Sequence, residues 1–175
     1  ILGLTIDYGP YGWLENYDPN WTPNTTDATG RRYRFGQQPQ IALWNLAQLG
    51  QSLVSLFDTI EPLQSGIDLY SDHFNTQCRA MMLRKLGLSV NESQAEADTA
   101  LTNDLLDVIS SIETDMTIFY RRLAVLPLEG TPDELNESVL DALMDAYYLP
   151  EQLTAEYRLT AVAWLQRYRD RVRIE

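Results

Sequence analysis

The chain has 175 residues, of which 45% are hydrophobic, and a formal net charge of −12 at pH 7. This length and hydrophobicity allow a sizeable core and exclude disorder as the main state. The basic residues are scattered or lie near the C-terminus, so no basic face is expected and nucleic acid is excluded as a partner. The single cysteine, Cys78, rules out an internal disulfide, and we expect a reducing compartment, the cytoplasm.

Membrane insertion and secretion are not expected from the sequence. No apolar run approaches the ~20 residues that cross a bilayer, and no charged region followed by an apolar one starts the chain. The sequence begins at Ile1, without an initiator methionine, directly in an alternating apolar stretch. We therefore expect the chain to be a fragment of a longer protein.

The N-terminal region predicts a short strand followed by a long loop. Ile1–Asp7 is apolar and β-branched, which is typical of a buried strand. Regular periodicity is absent from Tyr8 to Pro39, a stretch that holds four of the nine glycines, four of the eight prolines and seven aromatic residues. A loop this long is uncommon in a compact domain unless it is functional. Its aromatic density favours an ordered loop.

The remainder of the chain predicts helices. Apolar residues at spacings of three and four predict one helix over 38–60 and a second over 63–86, which ends at Gly87. Ser93 and Glu96 predict a capping box for the next helix, which continues to about residue 112. Further helices are predicted from 116 to Pro127, from Thr131 with Leu135, Val139 and Leu143 facing inward, and from Pro150 to the arginine-rich end.

Three features could indicate a functional site but are better explained structurally. Seven acidic residues lie between Leu86 and Tyr120, but their spacing does not match a calcium-binding loop, so we interpret them as a solvated helix face. His73 is the only histidine and has no identified nucleophile to activate, so we expect it to be structural. Cys78 lies on an apolar helical stripe and is expected to be a buried, unreactive thiol.

Asp7 is the candidate metal ligand. It ends the predicted strand and precedes a Gly9-Pro10 turn, where its carboxylate could project into a cleft and hold a magnesium ion that bridges phosphate oxygens. An aspartate before such a turn can equally be a turn residue that hydrogen-bonds its own backbone. The four residues Asp7–Pro10 alone leave both interpretations open.

Four separated stretches of the sequence resemble the selenoprotein O family, known in bacteria as YdiU. In chain order they read ILGLTIDYGPYGWLENYDP, GRRYRFGQQPQIALWNLAQL, TDMTIFYRRL and WLQRYRDR. Together they extend over most of the chain, and the first two are long and unusual in composition. The resemblance therefore includes the predicted strand, the long loop and the helices that follow.

The resemblance implies a mainly α chain, the helical C-terminal part of a protein-kinase-like (pseudokinase) fold, with a short N-terminal strand and a long irregular loop. It assigns a strand and an activation-segment-like loop to residues 1–39 and the helical portion of the large lobe to residues 40–175, as one domain truncated at both ends. Family members are described as protein adenylyltransferases, cytoplasmic enzymes in bacteria that move AMP from ATP to Ser, Thr or Tyr hydroxyls of proteins.

The same resemblance gives Asp7 the place of the kinase DFG aspartate, with Tyr8 and Gly9 as its companions. Asp7 would then bind magnesium or manganese and, through the metal, ATP. The family's catalytic aspartate is expected upstream of Ile1, so no catalytic residue is expected in this chain. We expect the isolated chain to be inactive and to bind no cofactor, whereas the full-length protein would bind ATP, the metal ion and protein substrates.

Two other functions stay open on the sequence alone. The segment could be a helical interaction or regulatory module in which the aromatic loop docks a protein partner and Asp7 is only a turn residue. The full-length protein could also be a kinase-type phosphotransferase, because a metal-binding aspartate does not distinguish transfer of AMP from transfer of phosphate. The mass of the product would decide between the two transferases.

Overall fold

The computed structural model describes residues 14–22, 29–126 and 137–175. The predicted strand Ile1–Asp7 and the helix start at Thr131, with Leu135, lie outside these ranges. The described residues are mainly helical, with isolated β-bridges between extended residues. The mainly α prediction is therefore confirmed for the part of the chain that is described. None of its helices is both long and apolar enough to span a bilayer.

The described residues form two compact units. The first contains Leu14 and Asp18–Cys78, and the second contains Glu15–Tyr17 and Arg79–Glu175. Three residues of the long loop, Glu15–Tyr17, therefore belong to the second unit, although the helices of the first unit follow them in the sequence. The domain division at residue 39 stays a prediction, because much of the segment before it lies outside the described ranges.

Two helices make up most of the first unit. Helix α1 spans Gln38–Leu53, and α2 begins at Glu61 and continues to Lys85. The predicted helix over 38–60 is too long, because Val54–Leu56 is a 3-10 turn and Phe57 is extended. Asp58 and Thr59 follow this turn, and such residues compete with helical hydrogen bonds through their own side chains. Helix α2 also starts two residues before its predicted position.

Three α-helices and a 3-10 helix build the second unit. Helix α3 spans Ala95–Ser110, α4 spans Met116–Leu123, the 3-10 helix spans Glu137–Ala146, and α5 spans Ala155–Val172. Helices α3 and α5 pack against each other, as do α4 and the 3-10 helix. The core residues on α3, α4 and α5 are Leu101, Leu105, Val108, Ile109, Phe119, Leu123, Tyr157, Ala161, Trp164, Leu165 and Tyr168.

Aromatic side chains of α5 fix this packing through hydrogen bonds as well as apolar contact. The indole of Trp164 donates from Nε1 to the carbonyl of Leu101 over 2.8 Å. The hydroxyl of Tyr168 donates to the carbonyl of Leu86, also over 2.8 Å, and its ring stacks on Trp164 with centroids 5.2 Å apart. Each polar atom is thus satisfied inside the core, which removes the cost of burying it.

The ends of the helices agree only partly with the sequence signals. Gly87 has φ +71°, the left-handed conformation expected of a residue that ends a helix. The prediction that Ser93 and Glu96 form a capping box is wrong. Asn91 is the capping residue: its side chain accepts a hydrogen bond from Ser93 N at 3.0 Å, and a 3-10 turn over Glu92–Gln94 then leads into α3.

The last predicted inward-facing residues are confirmed, although their helix has a different form. Val139 and Leu143 are buried in the second unit. They lie on the 3-10 helix Glu137–Ala146, whose tighter winding the apolar spacing does not predict. The final α-helix begins after Thr154, and a separate 3-10 turn at Pro150–Gln152 precedes it. The start predicted near Pro150 therefore belongs to this 3-10 turn.

The acidic stretch is not uniformly solvated. Asp98 is almost completely buried on α3, and its Oδ1 accepts from Nε of Arg171 on α5 over 2.6 Å. The guanidinium of Arg171 also donates to the carbonyl of Ser89 at 3.2 Å and to Glu175 at 2.9 Å. The pKa of Arg171 is raised above its usual value, chiefly by its hydrogen bond to Asp98. Charge counting could not reveal this pair, because its members are 73 residues apart.

The two other singled-out residues both lie on α2. His73 is exposed, in agreement with a residue that has no part in a catalytic constellation. Cys78 is a free thiol of intermediate exposure, so the expectation that it would be buried is wrong. Neither residue has a position that indicates chemistry.

Candidate functional site

Asp7, the predicted metal ligand, lies outside the described residues, and so do Tyr8 and Gly9. The structure does describe two portions of the long loop that follows, residues 14–22 and 29–37. These portions are the described residues that lie nearest to Asp7 in the sequence and in the loop that follows it. We therefore treat the anchoring of this loop as the described part of the candidate site.

The first portion is anchored beside the N-terminus of α4. Asn16 and Asp115 form an antiparallel bridge, and Met116 N donates to the carbonyl of Glu15 over 2.9 Å. On its other side Asp115 N donates to the carbonyl of Ala146 over 2.7 Å. Three backbone segments, at residues 15–16, 115–116 and 146, are thus joined side by side by hydrogen bonds. The segment at 115–116 leads directly into α4.

A tyrosine hydroxyl and two carboxylates meet at this anchor. The hydroxyl of Tyr148 lies 2.8 Å from Oδ2 of Asp115 and 3.3 Å from Oε2 of Glu15. A phenol carries one proton, so it donates to the nearer carboxylate, Asp115. This hydrogen bond is the main reason that the pKa of Tyr148 is raised above its usual value. The single phenol proton is thus used by Asp115, and the Glu15 segment is held by its backbone hydrogen bond and bridge.

Asp115 has two roles at once. Its Oδ2 accepts from Tyr148, while its Oδ1 accepts from the backbone N–H of Ile118 over 2.8 Å and caps α4. A carboxylate at a helix N-terminus is also favoured by the helix dipole. The sequence analysis missed Asp115, Glu15 and Tyr148 as a group. A signal existed for Asp115 alone, since an aspartate directly before a helical run is a common N-cap.

The second portion of the loop is held within the first unit. Asp18 accepts a hydrogen bond at Oδ1 from Asn20 N, over 2.8 Å, and forms an Asx turn. Phe35 N then donates to the carbonyl of Trp21 over 2.9 Å, and Gly36 N donates to that of Pro19 over 2.8 Å. These bonds join the two described portions of the loop directly to each other.

Gly36 lies where the two portions of the loop come close together. A Cβ built on Gly36 would lie 3.0 Å from both the Cβ and the carbonyl oxygen of Pro19. Any side chain at this position would therefore require the backbone of Pro19 to shift by a few tenths of an ångström, so the close approach favours glycine.

An arginine-rich turn precedes α1. Arg31 has φ +44°, the one non-glycine residue in the described ranges with this left-handed conformation. Its Nη1 lies 3.4 Å from the carbonyl oxygen of Asn20, and Arg34 Nη2 donates to Gln37 over 3.0 Å. The guanidinium of Arg32 lies over the ring of Trp44 at 4.3 Å, a cation–π contact. The turn is thus fixed against the start of α1 by its own side chains.

The described residues do not make a metal centre by themselves. No group of three or more His, Cys, Asp or Glu side chains is placed to hold an ion within residues 14–22, 29–126 and 137–175. The anchor offers two carboxylates, and one of them is engaged by a backbone N–H and a phenol. Its arrangement fits a structural support for the loop that begins at Asp7 rather than a ligand set.

Comparison with protein families gives the class of the protein. The model of the family described as "Protein adenylyltransferase SelO" matches residues 1–174, almost the whole chain. The protein belongs to this family. The resemblance noted in the four sequence stretches is therefore confirmed.

Individual relatives carry the name "Protein nucleotidyltransferase YdiU". The one from Rhodopirellula baltica is 52% identical over 176 residues, which are 98% of this chain and 32% of that protein. The one from Aromatoleum aromaticum is 47% identical over 100% of this chain and 31% of that protein. A third, from Flavobacterium johnsoniae, is 42% identical, with coverage of 100% and 32%. The chain thus spans about a third of the length of these relatives.

Proposed function

We propose that this chain is the C-terminal helical part of a protein adenylyltransferase with a kinase-like fold, and that it supplies one metal ligand, Asp7, to the active site of the full-length enzyme. The observation that carries the proposal is the family match over residues 1–174 together with relatives named as protein nucleotidyltransferases. The mainly helical structure and the hydrogen bonds of the described loop residues 14–22 and 29–37 are compatible with it.

The proposed reaction is a nucleotidyl transfer. The hydroxyl oxygen of a Ser, Thr or Tyr on an acceptor protein attacks the α-phosphorus of ATP. A bond forms between that oxygen and phosphorus, the bond between the α-phosphorus and the bridging oxygen to the β-phosphate breaks, and pyrophosphate leaves. The proton of the hydroxyl passes to a base that is not among the residues of this chain. This transfer needs mainly positioning and charge neutralisation, so a carboxylate that holds a cation is the appropriate group for Asp7.

A divalent ion bound at Asp7 would neutralise charge on the phosphates and fix their position. One carboxylate is too few ligands for magnesium, which prefers six oxygen donors that include water and phosphate. The other protein ligands would have to come from outside residues 1–175. The isolated chain is for this reason proposed to be inactive and to bind ATP no more tightly than about millimolar, or ~4 kcal/mol.

The loop anchor has a positioning role in this proposal. Asp7 is eight residues before Glu15, and the bridge of Asn16 to Asp115 fixes the chain at that point. The hydrogen bond from Tyr148 to Asp115 supports the residue that forms this bridge. We propose that this anchor limits how far the following loop can move when the full-length enzyme binds its metal.

The decisive experiment uses the full-length protein with magnesium and separate labels on the α- and γ-phosphates of ATP. We expect protein-bound label from α-labelled ATP only, with a mass increase of one AMP group. Asp7→Ala should lower the transfer rate at least about 100-fold, because removal of a preorganised charge-stabilising group has effects of this size. Asp18→Ala is the matched control, since Asp18 makes only a local turn in the same loop.

The same assay identifies the results that oppose the proposal. Label transferred from the γ-position would show a kinase-type phosphotransferase with ADP as the leaving group. Equal transfer by wild type and Asp7→Ala would remove the metal-binding role of Asp7. Preference for another nucleoside triphosphate in place of ATP would keep nucleotidyl transfer and reject adenylylation.

A further inference from the structure

A groove between helices α3 and α5 lies on the surface of the second unit. It has a volume of about 950 Å³ and is open to solvent. All the residues that line it belong to the second unit, so one compact unit forms it completely. Its volume lies within the range of about 300–1,000 Å³ that is usual for ligand pockets. We call it the α3–α5 groove.

Two polar contacts mark the ends of the α3–α5 groove. Arg167 Nη1 on α5 donates to Oδ2 of Asp104 on α3 over 2.6 Å. At the other end, the backbone N–H of Glu113 donates to Oε1 of Gln152 over 2.7 Å. Asp104 and Ser111 both line the groove, and at about 1.5 Å per helical residue they are about 10 Å apart along α3. This length suits about three residues of extended peptide.

Small side chains explain why the two helices leave a space between them. Ser111, Thr160 and Ala163 line the α3–α5 groove. The hydroxyl of Thr160 donates to the carbonyl of Glu156 over 3.1 Å, and that of Ser111 donates to the carbonyl of Val108 over 2.8 Å. Both hydroxyls are therefore satisfied by their own helix, and no large side chain at these three positions fills the space.

Apolar side chains also line the α3–α5 groove. Val108, Tyr157 and Trp164 belong to the core of the unit, and Ile112 is partly buried against that core. Leu159 is 67% exposed and contributes further apolar surface. An occupant that removes these apolar atoms from water gains free energy. The groove therefore favours an occupant with at least one apolar group.

The charged residues of the α3–α5 groove are mainly acidic. Asp104, Asp107 and Glu156 line it together with one basic residue, Arg167, which is paired with Asp104. Asp107 and Glu156 are exposed. Neither forms an ion pair with any of the 13 Lys and Arg residues, all of which lie within the described ranges. These two carboxylates favour an occupant with positive charge.

The geometry and the charge point to one class of occupant, and we propose that the α3–α5 groove binds a Lys- or Arg-bearing segment of a partner protein, with an apolar residue beside its positive charges. The apolar side chain covers Val108 and Ile112, while the basic side chains pair with Asp107 and Glu156. An apolar centre surrounded by polar groups is the usual anatomy of an interface between separate proteins. This binding does not depend on the nucleotidyl transfer proposed above.

The undescribed segments of this chain lack the charge that the groove favours. Residues 1–13, 23–28 and 127–136 contain no Lys, Arg or His, and each segment contains at least one acidic residue. Segment 127–136 belongs to the same unit and has three acidic residues, which Asp107 and Glu156 would repel. A second copy of the chain carries the same net charge of −12, which opposes association.

Fluorescence anisotropy on the full-length protein tests the proposal with a defined probe. The probe is a short labelled peptide in which Leu and Lys alternate. One control peptide has Glu in place of every Lys, and the other has Ser in place of every Leu. We expect the Leu/Lys peptide to bind at least about tenfold more tightly than either control. Its affinity should fall as salt is added, because salt screens interactions between exposed charges.

Charge reversal in the groove provides the matched comparison. Asp107→Lys combined with Glu156→Lys should weaken binding of the Leu/Lys peptide at least about tenfold, because attraction becomes repulsion. Glu96→Lys combined with Asp141→Lys makes the same change in charge at exposed positions outside the groove and should leave the affinity nearly unchanged. Ala163→Phe fills the groove without a change in charge and should also weaken binding. If the charge-reversed variant does not fold, Ala163→Phe decides.

The outcomes separate the possible occupants. Binding of the Leu/Lys peptide that is weakened by both changes in the groove supports the proposal. No binding to the full-length protein would overturn it, because the groove is then not accessible to a partner. Equal binding of the Lys/Ser control would overturn it in favour of general attraction of polycations. Unchanged affinity in the groove variants would place the binding site elsewhere. None of these results depends on nucleotide transfer, so the proposed function can fail independently.

Discussion

The two compact units of this protein bury apolar side chains to very different extents. The second unit holds a contiguous core, in which Leu105, Ile109 and Leu165 are all at most 1% exposed. In the first unit Ile41 is the only described hydrophobic residue that is buried, and most of the exposed large hydrophobic residues belong to this unit. The second unit therefore has a contiguous core, whereas the described residues of the first unit leave much of their apolar surface exposed.

The difference lies in the number of elements that pack together. In the second unit α3 contacts α5, α4 contacts the 3-10 helix Glu137–Ala146, and α5 contacts that 3-10 helix as well. In the first unit, α1 contacts the short 3-10 turns Phe35–Gln37 and Val54–Leu56, and α2 approaches it where Gly50 lies near Ile67. Two helices and two short turns bury less apolar surface than four packed elements. Local sequence pattern forms the helices in both units, but only the second supplies enough neighbours.

The largest expected effect on stability comes from replacing a tryptophan with alanine, which we compare between the two units. Trp164→Ala should destabilise the 175-residue chain by about 3–5 kcal/mol, because the ring is 2% exposed and its loss leaves a cavity. Trp44→Ala should cost less than about 1 kcal/mol, since half of its surface already contacts water. The measurement is urea unfolding followed by circular dichroism. Equal losses would mean that the two units are packed alike in solution.

The buried ion pair of the second unit should have an effect of similar size. Arg171→Met removes the partner of the buried carboxylate of Asp98 and should cost about 3–5 kcal/mol. The matched control is Arg167→Met, which removes an exposed pair with Asp104 and should change the free energy of unfolding by no more than about 1 kcal/mol. If both variants lose the same amount, the Asp98 carboxylate is solvated.

High pH should weaken the second unit through its buried tyrosines. Burial, with a smaller contribution from Tyr17, raises the pKa of Tyr120 to about 12. A raised pKa in the folded state means that folding favours the protonated phenol, so this contribution is complete below about pH 10 and is lost as pH rises to about 12. The loss is at most about 3 kcal/mol for one residue.

Tyr120→Phe checks this pH dependence, because it keeps the ring and removes the titrating hydroxyl. The free energy of unfolding is measured at about pH 9 and about pH 11.5, which bracket the usual tyrosine pKa of about 10. Its decrease between these two pH values should be smaller in the variant than in the wild-type chain. Part of the decrease should remain, since burial also raises the pKa of Tyr157 and Tyr168. Tyr33→Phe, at an exposed position of the first unit, is the matched control. An identical decrease in Tyr120→Phe and wild type would contradict the prediction.

The sequence predicts the helices of both units better than it predicts their contacts. Spacing of apolar residues is a local property, and it predicts that α1, α3 and α5 exist, although α1 ends at Leu53 before its predicted end at 60 and α5 begins at Ala155 after its predicted start near Pro150. The ion pair of Asp98 and Arg171 joins positions 73 residues apart, and no local pattern indicates it. The spacing of apolar residues likewise does not indicate the 3-10 form of Glu137–Ala146, which packs on α4 and α5.

The candidate site shows the same limit. Asp7 could be named only because its neighbours resemble a known family, and its role stays a prediction. The anchor of the loop that follows was not predicted, because Glu15, Asp115 and Tyr148 come from three distant segments. Of these, only Asp115 has a local signature, as the residue before a helix. Residue spacing therefore cannot indicate a site whose residues come from distant segments of the sequence.

The smallest expected effect comes from the N-terminal cap of α5, and it can be compared with the effect of removing a core residue from the same helix. Thr154 accepts a hydrogen bond at Oγ1 from Tyr157 N over 3.2 Å and caps the helix, so Thr154→Ala should cost about 1 kcal/mol. Thr160→Ala changes an exposed residue inside the same helix and should be neutral or slightly stabilising, because alanine has the higher helix propensity. Thermal unfolding of the two variants provides the comparison. A loss for Thr154→Ala as large as that for Trp164→Ala would mean that the cap, and not the core, limits the stability of the second unit. The expected loss is several-fold smaller, since the buried face of α5 packs against both α3 and the 3-10 helix Glu137–Ala146.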